Sequence, residues 1–273
     1  MTFLDKLTET VRRQQSLLCI GLDSELSKLP AHLRSVDEPL FAFNKAVIDA
    51  TAEFAAAFKV NLAFYEAYGL EGWSALKKTF SYLPKHVIRI ADAKRGDIGN
   101  TARLYAQALF EELDADAVTV NPYMGSDSVD PFLQREEKGV FVLCLTSNAG
   151  SADFQRFSDG SRQLYEKVAL NVREWNVRGN CGLVVGATHP LELAHVRKLV
   201  PDLPLLIPGI GAQGGDVQAS VAAVEETSGA PVLFNSSRAI LYASSGADFA
   251  EAAAQAARQT RDLLNKFRKT NHF

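Results

Sequence analysis

The sequence is short of the residues that mark special frameworks. It has three cysteines, Cys19, Cys144 and Cys181, far apart and each in or beside an apolar strand-like run. An odd count at such spacing argues against a disulfide scaffold or a zinc motif and fits reduced core thiols. No apolar run approaches membrane-spanning length, and the opening Met1-Thr2-Phe3-Leu4-Asp5-Lys6 lacks the apolar core of a signal peptide. Charge of one sign is also missing: 29 Lys and Arg face 32 Asp and Glu, a formal net charge of -3. That balance speaks against nonspecific nucleic-acid binding while leaving room for a small basic pocket. Histidine is sparse; His32, His86, His195 and His272 read as surface or packing residues, and His189, just before Pro190, as a loop or capping residue. The expectation is a soluble, cytoplasmic protein with no membrane or nucleic-acid partner.

What is present is a regular alternation. Across 273 residues, 47% of them apolar, a leading helix over 3–14, opened by Thr2 and Asp5 in a capping pattern, is followed by eight strand-helix units. The strands are expected at 17–23, 57–64, 87–91 and the residues after it, 117–123, 140–147, 182–187, 204–209 and 232–236. Helices are expected at 38–56, 65–82, 98–113, 126–138, 161–178, 190–200, 214–228 and 247–267, with Trp73 and Trp175 packing inside theirs. Short, continuous apolar strands separated by helices imply a parallel sheet covered on its outside, and eight units favour closure. The expected fold class is α/β, a single (β/α)8 barrel domain over residues 1–273 with a short N-terminal helix.

Polar residues fall where such a barrel places its chemistry. Asp23, Lys59, Asn61, Asp92, Lys94, Asn121, Ser147, His189 and Asn235 all lie at or near strand carboxyl ends. The centre of the pattern is Asp92-Ala93-Lys94-Arg95-Gly96-Asp97. Strand periodicity puts Asp92 and Lys94 on one side, and the fragment alone fits either a structural ion pair or an active site. The long loop 148–160 reads as a lid, with disorder-prone padding the alternative. Pro208-Gly209-Ile210-Gly211-Ala212-Gln213-Gly214-Gly215 contains a G-x-G-x-x-G. A dinucleotide fingerprint belongs in a first strand-helix unit with an acid ending the next strand, where this chain has Asn235. In a barrel, glycines after strand seven and a helix start after strand eight make a phosphate site instead, with Ser236-Ser237-Arg238 as its second half.

With D-x-K-x-x-D-I-x-x-T on strand three, Lys59 on strand two and P-G-I-G-A-Q-G-G after strand seven, the chain resembles the orotidine 5′-phosphate decarboxylases from Leu17 to about Arg238. Its D-A-K-R-G-D-I-G-N-T run is similar to the longer, mycobacterial-type branch. The resemblance implies decarboxylation of orotidine monophosphate to UMP without metal or organic cofactor. It implies that Lys59, Asp92, Lys94 and Asp97 form the charged catalytic array, with Lys94 protonating carbon 6 of the pyrimidine. By the same resemblance Asp23 binds ribose hydroxyls, Ser147 (with Thr146 a neighbour) binds the pyrimidine, and Gln213 and Arg238 are phosphate ligands, beside Gly211 and Ser237, which the barrel's phosphate-site pattern adds. It further implies a homodimer in which Asp97 and Thr101 reach into the partner's site.

The chemistry agrees. Loss of carbon dioxide leaves an electron pair in the plane of the ring, which a fixed cation must meet. Three alternatives stand beside this reading. One is a magnesium-dependent sugar-phosphate decarboxylase or aldolase on the same barrel, against which Lys59 speaks. A second is a catalytically silent nucleotide-binding barrel, and the third is an NAD-dependent oxidoreductase.

Overall fold

The computed structural model describes residues 1–210, 216–225 and 230–268. Eight strands, all paired in parallel, close into a barrel in sequence order, β8 returning to β1. In chain order the elements are α1 (Phe3–Gln14), β1 (Leu18–Gly21), α2 (Pro39–Thr51), β2 (Ala57–Asn61), α3 (Ala63–Glu66), α4 (Gly69–Tyr82), β3 (Ile88–Arg95), α5 (Gly99–Gln107) and β4 (Ala117–Val120). They continue with α6 (Ser126–Leu133), β5 (Gly139–Leu145), α7 (Leu164–Trp175), β6 (Cys181–Val185), α8 (Pro190–Leu199), β7 (Leu205–Pro208), α9 (Val217–Glu225), β8 (Val232–Ser236), α10 (Arg238–Leu241) and α11 (Phe249–Phe267). No described helix is long and apolar enough to cross a membrane.

The (β/α)8 expectation therefore holds, and a closed barrel is not the open, doubly wound sheet that a dinucleotide fingerprint requires. Elements depart from expectation mainly at their ends. The helix expected at 65–82 is broken in two, with Gly69 at φ +58° opening the second piece. The helix expected at 38–56 gives way to a 3-10 turn at Ala52–Phe54, and that at 98–113 to a π-turn at Ala108–Glu112. Trp73 is 44% exposed rather than packed. Cys19, Cys144 and Cys181 are buried and unpaired, and burial pushes each thiol up to about 12.

At the amino ends of the strands the barrel is shut. The capping box of Thr2 and Asp5 starts α1, which packs against this end through Phe3 and Lys6. The Phe3 ring meets Phe141 edge-on with centroids 5.9 Å apart, and the Phe3 N–H donates to the Glu136 carbonyl at 2.8 Å. Arg89, which falls in the stretch read as apolar, is buried here. Its Nε and Nη2 donate to the two oxygens of Asp116 at 2.9 and 3.0 Å, and its Nη1 to Asp114 at 3.0 Å. Lys6 of α1 completes the group by donating to Asp116 at 2.6 Å. With one end sealed in this way, the carboxyl ends are left to carry the chemistry.

Candidate active site

Strand β3 makes the site by breaking its own rule. Up to Ala91 it pairs in step with β4, Ala91 facing Val118, but the next partnered residue is Arg95 facing Val120. The intervening residues bulge, and Lys94 sits at φ +47°, a left-handed conformation that costs a non-glycine residue about 1–2 kcal/mol. The Lys94 N–H finds the Thr119 hydroxyl at 3.0 Å instead of a strand carbonyl. Asp92 and Lys94 do meet, Nζ to Oδ1 at 2.6 Å, but through this bulge and not through simple alternation.

The charges run in a chain across three strands. Lys59 Nζ lies 3.5 Å from Asp23 Oδ1 and donates to Asp92 Oδ2 at 3.0 Å. Asp92 Oδ1 also accepts from the Thr119 hydroxyl at 2.8 Å. Lys59 and Asp92 are 4% and 7% exposed, whereas the Lys94 side chain is 46% exposed. Burial alone would raise the Asp92 carboxyl, but Lys59 and Lys94 outweigh it and hold the group well below the carboxylate range. For Lys59 burial works to lower the ammonium, and Asp23 and Asp92 outweigh it, holding it above the usual lysine range. The array is thus fixed and charged at its buried end and presents an ammonium at its open end.

A cavity of about 280 Å³ opens over it. Of the strand-end residues singled out in the sequence, Asp23, Lys59, Asn61, Asp92, Lys94, Ser147 and Asn235 line this cavity. Asn121 and His189 do not. Asn121 instead accepts from the Tyr123 N–H at 3.0 Å, and His189 precedes α8 without a side-chain cap. Thr146, Ser237 and Arg238 also line it, with Pro208, Gly209 and Ile210 at the end of β7. Gly211 and Gln213 lie outside the described residues. Asp23 Oδ1, Ser147 Oγ and Asn235 Oδ1 are buried with no hydrogen-bond partner among the described residues. Such atoms are costly unless something donates to them. Ser147 can stand where it does because residue 186 is glycine: a Cβ there would lie 2.1 Å from its Oγ.

Asp97 and Thr101 do not join this cavity. Asp97 is half-buried and accepts from the Ile98 N–H at 2.8 Å, while Thr101 is exposed on α5. Among the described residues the ion pair of Lys94 is with Asp92. The segment around Asp97 and Thr101 exposes apolar side chains, among them Ile98 at 53% and Leu104 at 55%.

Several supporting residues went unremarked in the sequence. The Asn44 side chain, wholly buried on α2, accepts from Ser24 Oγ at 2.7 Å and donates to Tyr65 Oη at 2.8 Å and Thr79 Oγ1 at 2.9 Å. Tyr65 in turn donates to the Leu22 carbonyl at 2.9 Å, and Tyr242 donates to the Asp23 carbonyl at 3.3 Å. The backbone on either side of Asp23 is thereby pinned. A signal existed: Asn44 falls on the same face of its helix as Phe41, Val47 and Ile48. In the expected lid, Gln155 reaches back to the end of β5, accepting from the Thr146 N–H at 2.8 Å and donating to Thr146 Oγ1 at 2.9 Å.

A model of the Orotidine 5′-phosphate decarboxylase / HUMPS family matches residues 16–255. The chain is 52% identical over 271 residues to the orotidine 5′-phosphate decarboxylase of Janthinobacterium sp. (strain Marseille), which spans 98% of this chain and 99% of that one. It is 49% identical over 273 residues to that of Dehalococcoides mccartyi (strain CBDB1), with coverage of 98% and 99%. Among solved structures it is similar to Leishmania donovani OMP decarboxylase, with a TM-score of 0.82 at 42% identity, 97% of this chain and 99% of that chain being covered. Its similarity to Leishmania donovani UMP synthase has a TM-score of 0.87 at 43% identity, where 98% of this chain corresponds to 56% of the other.

Proposed function

The chain belongs to the orotidine 5′-phosphate decarboxylase family and converts orotidine 5′-monophosphate to UMP in pyrimidine biosynthesis, and on that premise we propose that Lys94 is the proton donor to carbon 6 of the pyrimidine. The observation that carries this role is the charge chain Asp23–Lys59–Asp92–Lys94, buried at one end and open to the cavity at the other. In the reaction the bond from carbon 6 to the carboxylate breaks heterolytically, carbon dioxide departs and the electron pair stays on carbon 6. The Lys94 ammonium meets that developing charge and gives its proton to it, so no other electron sink is required. Asp92, held ionised by two lysines, faces the substrate carboxylate and raises the energy of the bound substrate relative to the transition state. Lys59 keeps Asp92 charged and in place.

Around this centre, Asp23 takes the ribose hydroxyls and Ser147 the pyrimidine edge. Ser237 and Arg238, with Gly211 and Gln213, take the phosphate, whose binding energy is used to close the site over the charges. The enzyme needs no metal or organic cofactor and works in the cytoplasm. Asp97 and Thr101 serve the site of a second copy, a role supported by their position outside this cavity amid exposed apolar side chains. Mixing the separately inactive variants Lys94→Ala and Asp97→Ala tests the shared site. Exchange of subunits is expected to restore up to about a quarter of the parent activity, because half of a statistical mixture is heterodimer with one intact site. A mixture no more active than its components would contradict the shared site.

A further inference from the structure

Strand β8 closes the barrel against β1 with Asn235 opposite Cys19 and Ser236 opposite Ile20. Val232, Leu233 and Phe234 precede Asn235 and are buried, and Asn235 itself is 6% exposed. A primary amide in that company is costly unless its groups are used. One is: Nδ2 donates to Ser237 Oγ at 3.2 Å, while Oδ1 has no hydrogen-bond partner among the described residues. Both residues line the cavity, beside Arg238. The seam is shaped to allow this, because a Cβ on Gly21 of β1 would lie 1.9 Å from Ser237 Oγ and 3.3 Å from Asn235 Oδ1. Only glycine at position 21 lets the serine side chain lean across β1.

We propose that Asn235 is a positioning residue for the phosphate end of the site: its amide donates to Ser237 Oγ and so turns the serine hydroxyl proton toward the substrate phosphate. A hydroxyl has one proton and two lone pairs. In a cavity that also holds the Asp23 carboxylate and Asn235 Oδ1, the latter without a hydrogen bond among the described residues, an unrestrained Ser237 would spend its proton on whichever came nearest. With one lone pair occupied by the amide, the proton points away from Asn235. An anionic oxygen held by Arg238 is then its natural acceptor, in a short, charge-assisted bond. The inference rests on the reading of Ser237 and Arg238 as phosphate ligands, and deepens it by assigning a role to Asn235 and Gly21.

The test is a double-mutant cycle read by calorimetric affinity for UMP, with thermal unfolding to show that each variant is folded. Ser237→Ala and Asn235→Ala are each expected to weaken UMP by about tenfold, and the double variant to be no weaker than Ser237→Ala within about twofold. A residue that merely filled the barrel would give losses that multiply. Multiplying losses, or an Asn235→Ala protein that binds UMP like the parent, would overturn the proposal. Should Asn235→Ala fail to fold, Asn235→Asp keeps the shape but can only accept. It captures the serine proton, so its loss is expected to be larger with Ser237 present than in the Ser237→Ala background, and equal losses would contradict the inference. Arg238→Ala separates the layers. If it leaves UMP affinity unchanged, the phosphate reading itself falls; if it weakens UMP while Asn235→Ala is silent, only the role of Asn235 falls.

Discussion

Strand β3 carries two buried ion networks, one toward each end of the barrel, and they are finished differently. At the amino end Arg89 is matched bidentately by Asp116, which also accepts from the Arg89 N–H and from Lys6. At the carboxyl end the same strand contributes Asp92 and Lys94. There Asp23 Oδ1 has only the 3.5 Å ion-pair approach of Lys59 and no hydrogen bond among the described residues, Ser147 Oγ has no hydrogen bond among them either, Lys94 is half exposed and its backbone is left-handed. Burial is similar, with Arg89 at 6% and Asp92 at 7% exposed. Burial and charge therefore do not distinguish scaffold from site. Between these two networks the difference lies in completeness: the one at the amino end makes its hydrogen bonds inside the protein and holds the fold, and the one that lines the cavity leaves an ammonium half exposed for a substrate.

The contrast can be broken from the closed side first. Asp116→Ala leaves the Arg89 guanidinium buried without its main partner and is expected to destabilise the protein by about 3–5 kcal/mol. Because that end is remote from the cavity, kcat per folded molecule should stay close to the parent value. Denaturant unfolding and an active-site-normalised assay check both halves. A large drop in kcat in fully folded protein would mean that the two ends are coupled.

A smaller effect is expected from Thr119→Val, which removes the hydroxyl joining the bulge to Asp92 while keeping the shape. Stability should fall by about 1 kcal/mol. The loss of kcat should be greater than the loss of UMP affinity, since the residue holds Lys94 and Asp92 and not the phosphate. The smallest effect concerns pH. Asp92 is held below the carboxylate range, so its stabilising contribution is full above the ordinary carboxylate value and is lost only as pH falls through the depressed one. Lys59 is held above the lysine range, so its contribution is full below the ordinary lysine value and is lost only as pH climbs through the raised one. Between about pH 5 and about pH 10 the stability difference between the parent and Lys59→Met should accordingly be flat. A slope inside that window, measured by urea unfolding at several pH values, would show that the pair titrates there.

Much of this was legible before the structure, for physical reasons. Parallel barrel strands are buried on both faces and so appear as short apolar runs, which made the eight units visible. Charges at the ends of such runs stand out against them, which marked Asp23, Lys59, Asp92 and Lys94. The closed network escaped because Arg89 sits early in its strand, where a lone charge among Val87, Ile88 and Ile90 gives no hint of a partner brought from β4 and α1. Period-two reasoning placed Asp92 beside Lys94 but could not foresee the bulge, since left-handed geometry at a lysine has no signature in sequence. The spacing of the six-residue run from Asp92 to Asp97 does not show that Asp97 lies outside this cavity, whereas the family resemblance, which assigns Asp97 to a partner's site, does imply it. Helix ends shifted most, where 3-10 and π turns use the same residues as regular helix.

One measurement bears on the central claim more directly than any other: turnover of orotidine monophosphate by Lys94→Ala, followed by loss of the orotate-ring ultraviolet absorbance, alongside thermal unfolding of the same preparation. The open network is expected to give up its chemistry and keep its fold. Turnover should fall by about 10³-fold or more, with a melting temperature near that of the parent. A folded Lys94→Ala enzyme turning over within about tenfold of the parent, where loss of a general acid alone should cost 10²-fold or more, would contradict both the role of Lys94 and the distinction between the two ends of the barrel.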